Sequence, residues 1–192
     1  MEFDNQAARI ETGNLMTSSY DNQTDAEQRS LDNLLDRGLL NRLTLIVGHD
    51  AQERSQALKG WLDRRDFDVL QIHHPADDGI CLKCILDAFI EAGIIEEMPS
   101  ECADNAGPPT EDACQSILVD LVNRLATVER DLVIVFRDYQ PCDDSDRVLT
   151  FLLEHLPQHI HLYLCCDDAP GLTCIPRLRV RRQLQTIDTS QS

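Results

Sequence analysis

The stretch Gly48-His49-Asp50-Ala51-Gln52-Glu53-Arg54-Ser55 has the spacing of a phosphate-binding loop, G-x-x-x-x-G-K-[ST], without its chemistry. Gly48 and Ser55 stand in register, but Glu53 replaces the second glycine and Arg54 the lysine. A working loop bares backbone N–H groups to the phosphates and sets a lysine on the β/γ oxygens. A carboxylate at that bend repels the ligand, and its Cβ occupies space the backbone needs. Arg54 keeps some capacity for phosphate, because guanidinium forms bidentate phosphate bonds.

Other reactive residues form weaker patterns. Cys81-Leu82-Lys83-Cys84, with His73 and His74 upstream, is half of a zinc site by spacing. The same cysteines also fall on a helical stripe, Cys81, Cys84, Ile85, Ala88 and Phe89, where they would pack as small hydrophobes. Core packing is the simpler reading, and no metal is expected. The adjacent Cys165 and Cys166 should end a strand with their thiols on opposite faces. Ser55 and Ser145 lack a nucleophile elbow. His155, His159 and His161 near Asp143 and Asp144 do not make a triad by sequence alone, and a helix surface and a strand edge account for them.

The elements that would position these residues alternate. Leu31, Leu34 and Leu35 mark an amphipathic helix that Gly38 can end. Leu43–Val47 reads as a strand, followed by a helix carrying Ala57, Leu58, Trp61 and Leu62, then a strand over 67–72. A helix over 81–92 leads into a proline-rich loop from Met98 to Pro109. Residues 111–128 predict a long helix with Thr110 as N-cap. Leu132-Val133-Ile134-Val135-Phe136 suits a strand buried on both faces. A helix around Val148–Leu156 and strands over 159–165 and 184–187 complete the chain. This order favours an α/β parallel sheet. Periodicity alone leaves a flavodoxin-like sheet open.

The 192 residues fit one domain with polar ends. Residues 1–28 read as a mobile polar leader, 29–188 as the domain and 189–192 as a tail. Neither a secretory signal nor an apolar run of about 20 residues is present, so the expected location is cytoplasmic. The net charge of −17 argues against direct DNA binding, which depends on Lys and Arg neutralising phosphates. From Glu91 to Asp112 there is no Lys or Arg, whereas Arg177, Arg179, Arg181 and Arg182 crowd the end. A basic partner would be drawn to the acidic stretch, although a solvated loop is the simpler account.

Three segments together resemble the nucleotide-binding domain of MalT-like, LuxR-family transcriptional regulators, members of the STAND class of signal-transduction ATPases. They are Leu34–Leu39 with Arg42–Val47, Asp131–Tyr139, and Leu152–Leu162 with Arg177–Arg179 and Gln183-Leu184 behind it. The resemblance implies a P-loop NTPase-like three-layer sandwich with a mainly parallel sheet of about five strands. It also implies that each chemical station is altered. Arg137 takes the register of the family's magnesium-holding Asp, Asp138 that of the second acid, and Asp167 that of a phosphate-sensing Arg. The expected degenerate site is therefore Gly48, Glu53, Arg54, Ser55, Arg137, Asp138 and Asp167, with Glu53, Arg137 and Asp167 pairing where nucleotide and magnesium sit in the family. No cofactor and no catalysis are expected. The alternatives are weak ATP/Mg binding as a switch or very slow ATPase, and a truncated regulator remnant. The family's helical sensor and helix-turn-helix have no counterpart in these residues. The leading expectation is a bacterial, non-catalytic interaction module for transcription control or signalling, whose partner would be a protein such as a full-length MalT-like regulator, and which touches neither DNA nor membrane.

Overall fold

The computed structural model describes residues 17–73, 82–102, 109–141 and 143–189. Five strands form one sheet: β1 Leu43–Val47, β2 Asp68–His73, β3 Leu132–Arg137, β4 Ile160–Cys166 and β5 Leu184–Asp188. Every pairing is parallel and the order is β2-β3-β4-β1-β5. A flavodoxin-like order, 2-1-3-4-5, is thereby excluded. Parallel neighbours need crossovers, and α2 Ala51–Leu62, α3 Leu82–Glu91, α4 Glu111–Leu125, α5 Asp143–His155 and α6 Ile175–Val180 supply them, while α1 Thr17–Gly38 precedes β1.

Strand alternation splits the core into two layers of contact. Leu43, Leu45, Ile134, Phe136, Leu162, Leu164 and Cys166 face α3, α4 and α5. Ile46, Val133, Val135, Tyr163 and Cys165 face α1 and α2, where Leu35, Leu58 and Trp61 cover them. The adjacent cysteines thus do point to opposite faces, as a strand's period of two requires. With both faces covered, β3 is apolar without interruption and buried through Phe136.

The helices answer to local signals in most places. Thr110 caps α4, its Oγ1 accepting from Ala113 N at 3.3 Å. Gly38 ends α1 where no other residue fits: a Cβ there would lie 2.4 Å from Tyr163 Oη and 2.5 Å from Thr44 Oγ1. That close approach lets Tyr163 Oη donate to Leu35 O at 2.7 Å.

Three elements differ from the sequence expectation. The helix α1 begins at Thr17, so the expected boundary near residue 29 falls inside it. The buried stripe of α3 is Leu82, Ile85, Leu86 and Phe89, with Cys84 only half-buried beside it, because the larger side chains take the centre. Finally, α6 forms a helix not expected from the pattern, with Pro176 in its first turn. Cys81, His74 and the side chain of His73 lie outside the described residues, and among those described no group of His, Cys, Asp and Glu is suited to a metal. No described helix is long and apolar enough to cross a membrane.

Candidate functional site

Strand order brings together the three stations that the resemblance implies. β4 lies between β1 and β3, so the carboxyl ends of all three strands adjoin: Gly48 follows β1, Arg137 and Asp138 end β3, and Asp167 follows β4. In open α/β sheets ligands bind outside these strand ends. Here the chain's own groups fill the position.

The β1–α2 connection decides the matter at the backbone. α2 begins at Ala51, the fourth residue of the motif, so Gln52, Glu53, Arg54 and Ser55 are wound into helix instead of being held in an open loop. Asp50 is the N-cap, its Oδ1 accepting from Gln52 N at 2.9 Å and Glu53 N at 3.0 Å. Arg54 N donates to Asp50 O at 3.1 Å, and Gly48 N to Cys166 O at 3.3 Å. Amides that a phosphate loop offers to its ligand are therefore engaged within the chain. A helix N-terminus attracts anions, and a carboxylate of the protein already occupies this one.

Glu53 takes on a different meaning in this geometry. Asp50-Ala51-Gln52-Glu53 has the N-cap-to-N3 spacing of a capping box, and an acid in the first turn is favoured by the helix dipole. Glu53 is exposed and belongs to a helix start. Asp50 was missed by the sequence reading, although this spacing was the signal for it.

Arg54 is the centre of the site. Its side chain is 2% exposed. Nη1 lies 2.9 Å from Asp167 Oδ1 and Nη2 3.5 Å from Asp138 Oδ1, the two carboxylates being 51% and 58% exposed. The expected pairing of Glu53, Arg137 and Asp167 is not the one formed: Arg54 is the cation that meets Asp167, and Glu53 stays outside. Arg54 Nε is buried with no hydrogen-bond acceptor among the described residues, and its Nη1 contact is an ion pair without hydrogen-bond alignment. Burying a guanidinium costs several kcal/mol, which two nearby carboxylates offset only in part when solvent reaches them.

Asp138 is aimed by its backbone. It adopts φ 53, the left-handed region that Asp and Asn tolerate best among residues with a Cβ. The next residue holds that turn: Tyr139 N donates to Cys165 O at 2.8 Å, and its buried hydroxyl contacts Ser145 Oγ and donates to Asp146. Arg137, by strand alternation, shares the face of Val133 and Val135 with Arg54. Its Nε is buried with no acceptor among the described residues. Below these charges, burial pushes the Cys165 thiol up to about 12 and the Cys166 thiol up to about 11, with Arg54 opposing both shifts. Neither is a thiolate at neutral pH, so neither is a ready nucleophile.

The residues present do not fit magnesium nucleotide. The loop is helical, Asp50 sits on the amides, and the residue that ends β3 beside them is the cationic Arg137.

Comparison with solved structures places the chain by fold. It is similar to a chain in the structure of Drosophila ORC bound to AT-rich DNA and Cdc6, with TM-score 0.57 and 14% identity, covering 96% of this chain and 62% of that one. A chain of Drosophila ORC bound to DNA gives TM-score 0.54 and 14% identity, covering 88% and 93%. This chain thus spans somewhat under two thirds of the first of them. The class so defined is an α/β, P-loop NTPase-like fold with a five-stranded, all-parallel sheet. The sequence matches no protein-family model and no curated protein.

Proposed function

We propose that this chain is a non-catalytic regulatory and protein-interaction module derived from a signal-transduction ATPase. The MalT-like resemblance supports bacterial transcription control as the setting and a full-length regulator as the partner. One observation carries the reading: Asp50 on the helix N-terminus, and Arg54 between Asp138 and Asp167, put the protein's own charges where nucleotide and metal would have to sit. The net charge of −17 supports a protein partner over direct contact with DNA.

Thermal unfolding with and without excess Mg-ATP tests this. A ligand at 100 times its dissociation constant stabilises by about 2.7 kcal/mol. The expected result is no shift, and no nucleotide retained on the purified protein. Stabilisation by Mg-ATP that Ser55→Ala abolishes would overturn the reading in favour of an ATP-binding switch.

A further inference from the structure

On the α3–α4 side of the sheet, away from the altered loop, α4 presents Ala113, Ser116, Ile117, Asp120, Leu121 and Arg124 along one face, at i, i+3, i+4, i+7, i+8 and i+11. Opposite them the chain between α3 and α4 lays down Ile95 and Glu97 to Glu101, with Leu86 behind. The groove between has a volume of about 480 Å³. Eleven helical residues rise about 16 Å, so it has the length of a three-turn helix. Its floor is made by the buried apolar side chains Leu86, Ile95, Ile117 and Leu121. Its rim is acidic, with Glu97, Glu101 and Asp120 all exposed. Arg124, at the far end of the α4 face, is the lone cation of the lining.

We infer that this groove docks a basic helical segment of another protein, with Lys and Arg set along the rim and one or two Leu-type anchors on the floor. The inference deepens the proposed interaction role and rests on it. Charge selects the occupant at two ranges. Nearby, the rim carries three acids to one base, so a cationic segment is attracted and an anionic one repelled. Farther out, the net charge of −17 raises the encounter rate of a basic partner. The same charge disfavours a nucleic acid and a second copy of this chain. Helix-in-groove binding reads anchors at i, i+3 or i+4 and i+7, which matches the periodicity α4 offers.

The test uses the full chain and a fluorescent helical peptide of about 12 residues, with Lys and Arg around two Leu anchors. Anisotropy should show saturable binding that weakens as salt rises, since exposed charges are screened. Reversing the rim with Glu97→Lys and Asp120→Lys should weaken it at least tenfold. Ser116→Trp, which fills the groove without touching its charge, should do the same. Asp63→Lys with Glu129→Lys makes the same change in net charge at positions that do not line the groove, and should leave most of the binding. Circular dichroism must show each variant folded. Equal loss from the distal and rim reversals would overturn the inference, because it would reduce binding to overall charge. So would absence of binding, or concentration-dependent self-association lost in Ser116→Trp. A native partner recovered equally by wild type and Ser116→Trp would overturn the groove alone and leave the interaction role standing. Recovery of no partner by either would fall on that role itself.

Discussion

The two ends of β1 have fared differently. At its amino end, Gly38, Thr44 and Tyr163 meet at distances that leave no room for a methyl group, and the Trp61 ring packs tilted against Phe67 and Tyr163, each with centroids 5.2 Å apart. At its carboxyl end Gly48–Ser55 forms a capped helix start, and a buried arginine lies between two half-exposed acids. The contrast teaches that packing and ligand chemistry constrain a fold separately. A tightly packed contact is costly to change at any atom, whereas a charged site tolerates any arrangement that balances itself.

The largest expected effect would come from breaking the packed end. Trp61 is fully buried and its Nε1 donates to Asp36 Oδ1 at 2.8 Å, so Trp61→Ala should cost about 3–5 kcal/mol in chemical denaturation. Next is the charged end, whose asymmetry can be tested directly. Asp138→Asn with Asp167→Asn leaves the buried Arg54 cation without compensation, and should cost about 2–4 kcal/mol. Asn keeps the left-handed backbone at 138, so the loss reports charge. Arg54→Met removes the buried cation and leaves only solvated acids, and should stay within about 1 kcal/mol of wild type. If the two changes cost the same, the site is held by shape instead of charge.

Gly38→Ala should destabilise by about 1–3 kcal/mol, because the new methyl drives into Tyr163 and Thr44. Alkali gives the mildest probe. The Cys165 and Cys166 thiols have folded pKa values raised by burial from 9.0 to about 12 and about 11. Their neutral form is favoured by folding, so this contribution is complete below pH 9 and is lost as pH rises from 9 through those values. Urea midpoints at pH 7.5 and 10.5 should therefore fall with pH, and Cys165→Ala with Cys166→Ala should flatten the decline.

The sheet was legible because its signals are local and redundant. Leu132–Phe136 has no polar interruption, the cysteine pair obeys the strand period, and Thr110 stands where a helix must be capped. The site was legible as a location: Gly48, Arg54, Asp138 and Asp167 do converge. Its pairing was not, because which cation reaches which acid depends on where α2 begins. That start was written in Asp50-x-x-Glu53, a local helix signal masked by the larger motif around it. The six-residue α6 is too short for periodicity to declare itself, and Pro176 was its one local mark.

The starting point of α2 bears on whether a phosphate loop could be built at this position. Restoring the motif's letters with Glu53→Gly and Arg54→Lys would place a glycine and a lysine on the first turns of a helix that Asp50 still caps. The amides would remain turned into the helix, and glycine in that turn would weaken it without opening a cradle. Recovery of a phosphate loop would need the cap removed and the helix shortened in the same step, with Arg54 withdrawn from its two acids. Each single substitution toward the motif loses stability before a cradle is gained, so this helix start resists conversion into a phosphate loop.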